Sequence, residues 1–260
     1  MEQIILQAEN IIRSFPSAGG IIPVLRGISL NIPKGKLIII KGRSGSGKTT
    51  LLNILSALDP ATDGEVTLRI SGDKKGSGSG SDDREGIMAG TREVRYSTLS
   101  DSARDRLRRN HMGFVFQSVA LVPIMSAYEN VDFGLRTASY VKNLRKNEGK
   151  TGDPQVIRDK RIREVLASVG LSERMQHMPS QLSGGEQQRV AIARAMAHKP
   201  EIIFADEPTG ALDTAAGLAV TQLFKELAEK ERITIVMTTH DPGLMELGDE
   251  VYEIEDGMIV

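Results

Sequence analysis

The chain has 260 residues, with 33 basic and 34 acidic side chains and no cysteine. A formal net charge of −1 argues against a general nucleic-acid-binding protein, because such proteins normally carry an excess of Lys and Arg. The lack of cysteine excludes disulfide bonds, thiolate metal ligands and a cysteine nucleophile, and the length suits one large domain with its own core.

The N-terminal part of the chain is predicted to form a small antiparallel sheet followed by a helix. Short segments rich in β-branched residues alternate with Pro and Gly, a pattern typical of strands and turns. From Lys48 onward, Leu and Ile recur at helical spacings, which predicts a helix, and a further strand is expected at Val66–Ile70. The predicted strands before the helix are Ile4–Leu6, Ile21–Leu25, Ile28–Ile32 and Leu37–Ile40.

Residues 71–90 have a composition unlike the rest of the chain. Ten of these twenty residues are Gly or Ser. A segment with so few apolar side chains cannot bury enough surface to offset the entropy that it loses on ordering. We therefore predict a flexible, Gly/Ser-rich insertion there.

In the second half of the chain, predicted helices alternate with predicted strands. This alternation is typical of an α/β fold with a mostly parallel sheet. The segment Val251–Val260 predicts a hairpin that turns at Asp256 and Gly257. The predicted helices are Arg161–Val169, Gln187–Ala197 and Ala215–Glu229, and the predicted strands are Ile202–Ala205 and Ile233–Met237.

The segment Gly42–Thr49 reads Gly-Arg-Ser-Gly-Ser-Gly-Lys-Thr and fits the pattern G-x-x-x-x-G-K-[ST] between a predicted strand and a predicted helix. Glycines let the backbone N–H groups of such a loop, and of the helix that follows, surround phosphate oxygens. Lys48 would reach the β- and γ-phosphates, and the Thr49 hydroxyl would bind Mg²⁺. The sequence therefore predicts a nucleoside triphosphate site. Its predicted residues are Gly42, Arg43, Ser44, Gly45, Ser46, Gly47, Lys48, Thr49 and Thr50.

Two carboxylates, Asp206 and Glu207, follow the apolar segment at residues 202–205. In parallel sheets, ligands bind at the carboxyl ends of strands, where the phosphate loop is also expected. Asp206 is predicted to hold Mg²⁺ through its water shell, and Glu207 to polarise an attacking water. The alternative is that the two acids form only a solubilising turn.

The segment Leu182–Gln187 contains Ser183, Gly184, Gly185 and Glu186 before a predicted helix. Ser as the N-cap and Glu three residues later form a capping box, so the segment could be no more than a helix start. Two glycines also leave the helix N-terminus open enough to receive a phosphate.

Together, these segments resemble the motifs of ATP-binding cassette (ABC) ATPases, the nucleotide-binding subunits of ABC transporters. Gly42–Thr49 resembles the Walker A motif, Leu182–Gln187 the signature motif and Ile202–Glu207 the Walker B motif, in the order that the family has them. Glu186 stands where many members have Gln. The resemblance covers nearly the whole chain.

The resemblance implies an α/β fold of the P-loop NTPase type. A mostly parallel core sheet would be joined by an antiparallel β subdomain and by an α-helical subdomain at about residues 100–190 that carries the signature motif. Residues 1–260 would form a single ABC ATP-binding domain, with residues 71–90 as a flexible insertion. ATP and Mg²⁺ would be its ligands.

Four single positions also match the family. Gln117 resembles the Q-loop glutamine, a Mg²⁺ ligand, and Asp213 the D-loop aspartate. His240 resembles the switch histidine that contacts the γ-phosphate, although a lone His at a strand end is often only structural. Phe15 falls where the family stacks an aromatic ring on adenine, although a Phe near apolar strands is often part of the core.

The family pairs two such domains head to tail, which implies a second copy of this chain as a partner. The signature residues of one copy, Ser183 to Glu186, would then bind the γ-phosphate of ATP held by Lys48 of the other. The implied activity is ATP hydrolysis, with Glu207 as the general base and with His240 and Lys48 stabilising charge.

Residues 42–53 and 205–213 are similar to those of the macrolide-exporting, lipoprotein-releasing and cell-division ATPases. This branch implies a protein peripheral to the cytoplasmic face of the cell membrane, coupled to a permease with a large extracytoplasmic domain that exports or extracts a peptide, antibiotic or lipoprotein. One alternative is an ATP-dependent regulatory switch on a membrane partner. Another is a DNA-repair ABC ATPase, but the chain has neither a long coiled-coil insertion nor cysteine zinc modules.

The longest run without a formal charge covers 19 residues, Asn110 to Tyr128. His111, Gln117 and Pro123 interrupt it, so it does not predict a membrane-spanning helix. The start of the chain shows no signal-peptide pattern, and we expect a cytoplasmic protein. If residues 117–125 are partly exposed rather than part of the core, they are a candidate docking surface for the permease.

Overall fold

The computed structural model describes residues 3–17, 19–71, 87–88, 91–138, 140, 144 and 152–260. The insertion predicted at residues 71–90 lies almost entirely outside these ranges. The strands are β1 (Ile4–Ser17), β2 (Gly20–Pro33), β3 (Leu37–Lys41), β4 (Asp63–Ser71), β5 (Ile87–Met88), β6 (Thr91–Arg95), β7 (Met112–Phe116), β8 (Ile202–Asp206), β9 (Thr234–Thr239), β10 (Glu250–Glu255) and β11 (Met258–Ile259). The helices are α1 (Lys48–Leu55), α2 (Asp101–His111), α3 (Ala127–Thr137), α4 (Pro154–Ser168), α5 (Gly184–Met196) and α6 (Thr214–Glu231).

The larger sheet has the strand order β11-β10-β3-β9-β8-β7 and is parallel from β10 to β7, with β11 antiparallel. β3, β8 and β9 are buried along nearly their whole length, as expected for parallel strands covered on both faces. The predicted α/β fold with a mostly parallel sheet is therefore confirmed. Because these strands run in one direction, the carboxyl ends of β3, β9, β8 and β7 lie side by side.

The smaller sheet is antiparallel, with the order β2-β1-β4-β6-β5. It confirms the predicted antiparallel part, but the predicted lengths of the first strands are wrong. Instead of short strands at Ile4–Leu6, Ile21–Leu25 and Ile28–Ile32, the chain forms one hairpin in which β1 and β2 have 14 residues each. Register shifts interrupt the pairing of the two strands, and Pro23 lies on an edge strand, the place in a sheet where proline is tolerated.

Two hydrophobic cores lie on opposite faces of the larger sheet. Side chains alternate along β3, so Ile38 and Ile40 belong to one core while Leu37 and Ile39 belong to the other. The core that contains Ile38 and Ile40 joins the sheet to α1 and to the smaller sheet. The core that contains Leu37 and Ile39 joins it to α3, α4, α5 and α6. The strand ends that carry the predicted motifs are therefore fixed by packing on both faces.

Two helices begin earlier than their apolar periodicity alone predicted. α4 begins at Pro154, because the Asp153 carboxylate caps it by accepting a 2.8 Å hydrogen bond from the Gln155 N–H. α5 begins at Gly184 with Ser183 as its N-cap, which confirms the start that the Ser183–Glu186 capping box predicted. Apolar periodicity therefore located these helices, while polar caps set where they start.

The predicted C-terminal hairpin is confirmed. Asp256 and Gly257 have φ values of 45° and 78°, the left-handed conformation that a tight hairpin turn requires. The Gly257 N–H donates a 3.2 Å hydrogen bond to the Ser46 carbonyl. The hairpin therefore supports the Gly-rich loop from behind.

The uncharged run from Asn110 to Tyr128 does not form one element. It covers the end of α2, all of β7, a loop and the start of α3. In the part of the chain that the structure describes, no helix is both long and apolar enough to cross a bilayer.

Candidate nucleotide-binding and hydrolysis site

The Gly42–Thr49 loop connects β3 to α1 and curls tightly between them. Gly42 and Gly47 have φ values of 155° and 108°, which other residues rarely adopt. A Cβ at Gly42 would collide with the Ile254 carbonyl, and one at Gly47 would lie 2.8 Å from Leu25 Cδ2. Both glycines are therefore required by conformation and by space.

Lys48 lies inside this loop, with 5% of its side chain exposed. Its Nζ donates to the carbonyls of Gly42 and Arg43, at 2.9 and 3.0 Å. The Ser46 hydroxyl is buried and has no hydrogen-bond partner in the described structure. α1 begins without a side-chain cap, so its first N–H groups are open to an anion. The loop thus contains an ammonium group, an unpaired hydroxyl and a helix start without a side-chain cap.

Asp206, at the end of β8, is hydrogen-bonded to two hydroxyl groups. Thr49 Oγ1 lies 3.2 Å and Thr238 Oγ1 2.7 Å from the same carboxylate oxygen. The Thr49 hydroxyl and the Asp206 carboxylate are hard oxygen donors, the kind that Mg²⁺ prefers. This pair sits directly beside the phosphate loop.

Glu207 lies between two of the other predicted catalytic residues. Its Oε1 is 3.7 Å from Lys48 Nζ, and its Oε2 is 3.4 Å from His240 Nδ1. Its backbone has a φ of 43°, unusual for a residue other than Gly, and its N–H donates to Thr238 Oγ1 at 2.9 Å. The structure thus brings Lys48, Glu207 and His240 together.

His240 is not a core histidine. It follows β9, and 63% of its side chain is exposed. Its ring nitrogen faces the Glu207 carboxylate across the mouth of the loop.

Sequence reasoning missed Thr238 as a part of the site. This fully buried residue of β9 donates to Asp206 and accepts from the Glu207 N–H, so it holds both acidic residues in place. The sequence offered one indication of this role, a hydroxyl-bearing residue in an apolar strand just before His240. Its partners become visible only once β9 is paired with β8.

Gln117 follows β7 at the same edge of the sheet but is not joined to the Thr49–Asp206 pair. The described hydrogen bonds of Asp206 run to Thr49 and Thr238. The Gln117 amide lies instead against Gly210, where a Cβ would be 2.8 Å from Gln117 Nε2. The segment that joins Glu207 to α6 is therefore its immediate neighbour.

The signature segment forms the predicted capping box. The Glu186 N–H donates to Ser183 Oγ at 3.3 Å, and the Ser183 N–H donates to Glu186 Oε2 at 2.8 Å. Hydrogen bonds from Ser183, together with the positive charge of Arg174, lower the pKa of Glu186 and keep it ionised. Ser183 and Gly184 are exposed, and Gly184 packs beside Leu212 of the segment before α6.

Asp213 and Phe15 make contacts of their own, outside the group formed by Lys48, Glu207 and His240. Asp213 is the N-cap of α6, and its Oδ1 accepts a 2.8 Å hydrogen bond from the Ala216 N–H. Phe15 is exposed on β1 rather than in the core, and the Arg13 guanidinium lies over its ring at 4.5 Å.

A Gly-rich loop between strand and helix, with carboxylates at the end of another parallel strand of the same sheet, defines a P-loop nucleoside triphosphatase. Comparison with known proteins narrows this class. The family model described as "ABC transporter" matches residues 25–210. The chain belongs to the ABC transporter family and is one of its ATPases.

Its relatives include both fused and separate ATP-binding chains. It is 39% identical to the macrolide export ATP-binding/permease protein MacB of Bartonella henselae over 98% of this chain and 33% of that protein. It is 37% identical to the ABC transporter ATP-binding protein MJ0796 of Methanocaldococcus jannaschii, over 98% of this chain and 94% of that one. The chain thus spans about a third of the length of its MacB-type relatives.

Solved structures give the same assignment. The dimeric, post-hydrolysis structure of the MJ0796 cassette, bound to ADP and phosphate, superposes with a TM-score of 0.74 and 34% identity. The match covers 98% of this chain and 96% of that chain. The protein is an ABC transporter ATPase of the MacB/MJ0796 type.

Proposed function

We propose that this chain is the ATP-hydrolysing subunit of a transporter that works as a dimer and drives a membrane permease to export or extract a peptide, antibiotic or lipoprotein. The observation that carries the chemistry is the Glu207 carboxylate, held between Lys48 and His240 and next to the Thr49–Asp206 pair. The permease role rests on the MacB relatives, whose names join ATP binding and permease in one chain.

The triphosphate of ATP would lie along the Gly42–Thr49 loop. Lys48 would exchange its backbone carbonyl partners for phosphate oxygens, and the buried Ser46 hydroxyl would gain the partner that it lacks. Phe15 would stack on adenine with its free face, since Arg13 already covers the other.

Thr49 and Asp206 fit Mg²⁺, because this ion commonly takes one or two protein oxygens and fills its remaining positions with water and phosphate. When bound, it would neutralise charge on the phosphates. Gln117 would join the site by moving its amide away from Gly210.

Hydrolysis would use Glu207 as the base. Its carboxylate would accept a proton from water, while Thr238 holds the backbone of this strained residue in place. His240 would orient the water and the γ-phosphate, and Lys48 would stabilise the charge that develops there.

The second half of each site would come from another copy of this chain. Ser183 and Gly184 are exposed, and the packing of Gly184 on Leu212 joins the signature segment to the turn before Asp213 in one surface. The MJ0796 cassette, similar over nearly its whole length, is dimeric. ATP would therefore be enclosed between Lys48 of one copy and Ser183 to Glu186 of the other.

A groove of about 370 Å³ between α2, β7, α3 and α5 is the proposed docking place of the permease. Phe116 and Phe133 are exposed on its walls, and 82% of the Ile124 side chain is exposed in the neighbouring loop. The groove also contains Arg108, Arg109 and Arg194 against a single acidic residue, Asp105. A cytoplasmic segment of the permease with apolar and acidic side chains would fit it, and docking would hold the chain at the cytoplasmic face of the membrane.

The variant Glu207→Gln tests the assignment of the base. It should bind ATP and form an ATP-dependent dimer in light scattering, with phosphate release reduced by roughly a hundredfold or more. Glu229→Gln, which changes an exposed carboxylate on α6, is the control and should retain activity. Wild-type phosphate release by Glu207→Gln would refute the role proposed for Glu207.

A further inference from the structure

The loop after Gln117 has an unusual backbone. Val119 and Ala120 have φ values of 54° and 48°, so two successive residues other than Gly are left-handed. This conformation is disfavoured for any side chain and most of all for a β-branched one such as Val. The Val119 N–H donates to the Phe116 carbonyl at 3.2 Å, which closes the turn. The carbonyls of Val119 and Ala120 must then find their donors elsewhere. Such a loop persists only where its surroundings hold it.

Arg194 of α5 supplies that support. Its Nη1 donates to the Ala120 carbonyl at 2.7 Å, and its Nη2 lies 3.3 Å from the Val119 carbonyl as a second donor. A guanidinium can bridge two neighbouring carbonyls in this way because its N–H groups form a rigid fork. Gly134 of α3 leaves room for the side chain, since a Cβ there would lie 2.9 Å from Arg194 Cγ.

We propose that Arg194 is a positioning residue for Gln117. It ties the loop that carries this glutamine to α5, the helix that begins with the signature segment. Gln117 lies two residues before Val119, so the clamp on Val119 and Ala120 determines where the Gln117 amide can go. Ser183, the N-cap of the same helix, lies roughly 16 Å away along the helix axis. The signature segment and the glutamine loop are therefore linked through one rigid element. The proposal rests on the role of Gln117 as a Mg²⁺ ligand.

A neighbouring arginine shows what a purely structural role looks like. Arg161 of α4 is buried and also donates to two backbone carbonyls, those of Ala197 at 2.8 Å and Met196 at 3.1 Å. These carbonyls close the C-terminal end of α5 and lie outside the glutamine loop. Arg161 therefore provides a control with the same chemistry at a different place.

The test is the Mg²⁺ dependence of ATP hydrolysis by the full chain. Arg194→Met should raise the Mg²⁺ concentration for half-maximal activity by roughly tenfold, the low end of what the loss of a group that orients a metal ligand costs. Arg194→Lys, which keeps one donor, should give a smaller shift and also serves if Arg194→Met does not fold. Gln117→Ala should raise the same midpoint, and adding Arg194→Met to it should cause no further shift if Arg194 acts through Gln117. Arg161→Met should lower thermal stability and leave the Mg²⁺ midpoint unchanged.

Hydrogen exchange at the amides of residues 117–121 gives an independent measurement. It should become faster in Arg194→Met and not in Arg161→Met. Unchanged exchange there, a shift that adds fully to that of Gln117→Ala, or an equal shift in Arg161→Met would each overturn the proposal. If Gln117→Ala leaves the midpoint unchanged, the assigned role of Gln117 is wrong, and hydrogen exchange alone then decides whether Arg194 positions the loop.

Discussion

The two sides of the nucleotide site differ in how far a single chain builds them. On the phosphate-loop side, Glu207 already lies within 3.7 Å of Lys48 and 3.4 Å of His240, and Asp206 is hydrogen-bonded to Thr49. On the signature side, the exposed Ser183 is hydrogen-bonded to Glu186 of its own segment. One side is preorganised and the other presents its groups outward.

The difference has a topological origin. β3, β8 and β9 are neighbouring parallel strands, so the residues that follow them meet without any long side chain having to reach. The signature residues begin a helix that packs on the opposite core, away from the phosphate loop. A single fold therefore fixes the two carboxylates beside the phosphate loop, whereas the phosphate contact proposed for the signature residues would need another copy of the chain.

The comparison predicts that two inactive variants will complement each other. Lys48→Ala and Ser183→Arg should each abolish hydrolysis, because each damages both sites of a homodimer. An equimolar mixture should recover about a quarter of the wild-type rate, since half of the dimers are mixed and each of these holds one intact site. Phosphate release from the mixture measures the effect.

A second mixture controls for nonspecific rescue. Lys48→Ala and Glu207→Gln both damage the phosphate-loop side, so their mixed dimers contain no intact site and should stay inactive. Equal recovery in both mixtures, or none in the first, would contradict the head-to-tail arrangement.

Thr238→Val tests how much the preorganisation of the phosphate-loop side contributes. The change leaves the Glu207 N–H without its acceptor and Asp206 without one donor, so hydrolysis should fall roughly tenfold and stability by about 1–3 kcal/mol. Thr234→Val is the matched control, because this buried Thr on the same strand accepts from the Gly35 N–H, away from the site. Thr234→Val should lose similar stability in urea unfolding while its kcat stays unchanged. Equal losses of kcat in Thr234→Val and Thr238→Val would show that Thr238 has no specific role.

The sequence predicts residues that lie in short local motifs, but not contacts that depend on the assembled fold. Lys48, Asp206 and Glu207 sit in short local patterns, and parallel-strand topology alone predicts that they meet. The contacts of Thr238 and Arg194 depend on strand register and on the packing of distant helices, which no local pattern encodes. The long β1–β2 hairpin escaped prediction for the same reason, because the edge position that tolerates Pro23 is a property of the assembled sheet.

The smallest predicted effect on catalysis belongs to a residue on the helical side of the molecule that influences stability at acid pH. Burial lowers the pKa of His198, which follows α5, to about 4, while an unfolded histidine titrates near 6.5. As the pH falls through that interval, the unfolded chain binds a proton that the folded chain does not, so the folded state loses stability, by up to about 3 kcal/mol. In His198→Gln, the difference in unfolding free energy between pH 7 and pH 5 should shrink by about 2 kcal/mol in urea titrations. Because His198 lines the groove between α2, β7, α3 and α5 and is not part of the group around Glu207, its effect should appear in unfolding and not in kcat at pH 7. An unchanged pH dependence of stability in His198→Gln would show that burial of His198 does not contribute to acid sensitivity.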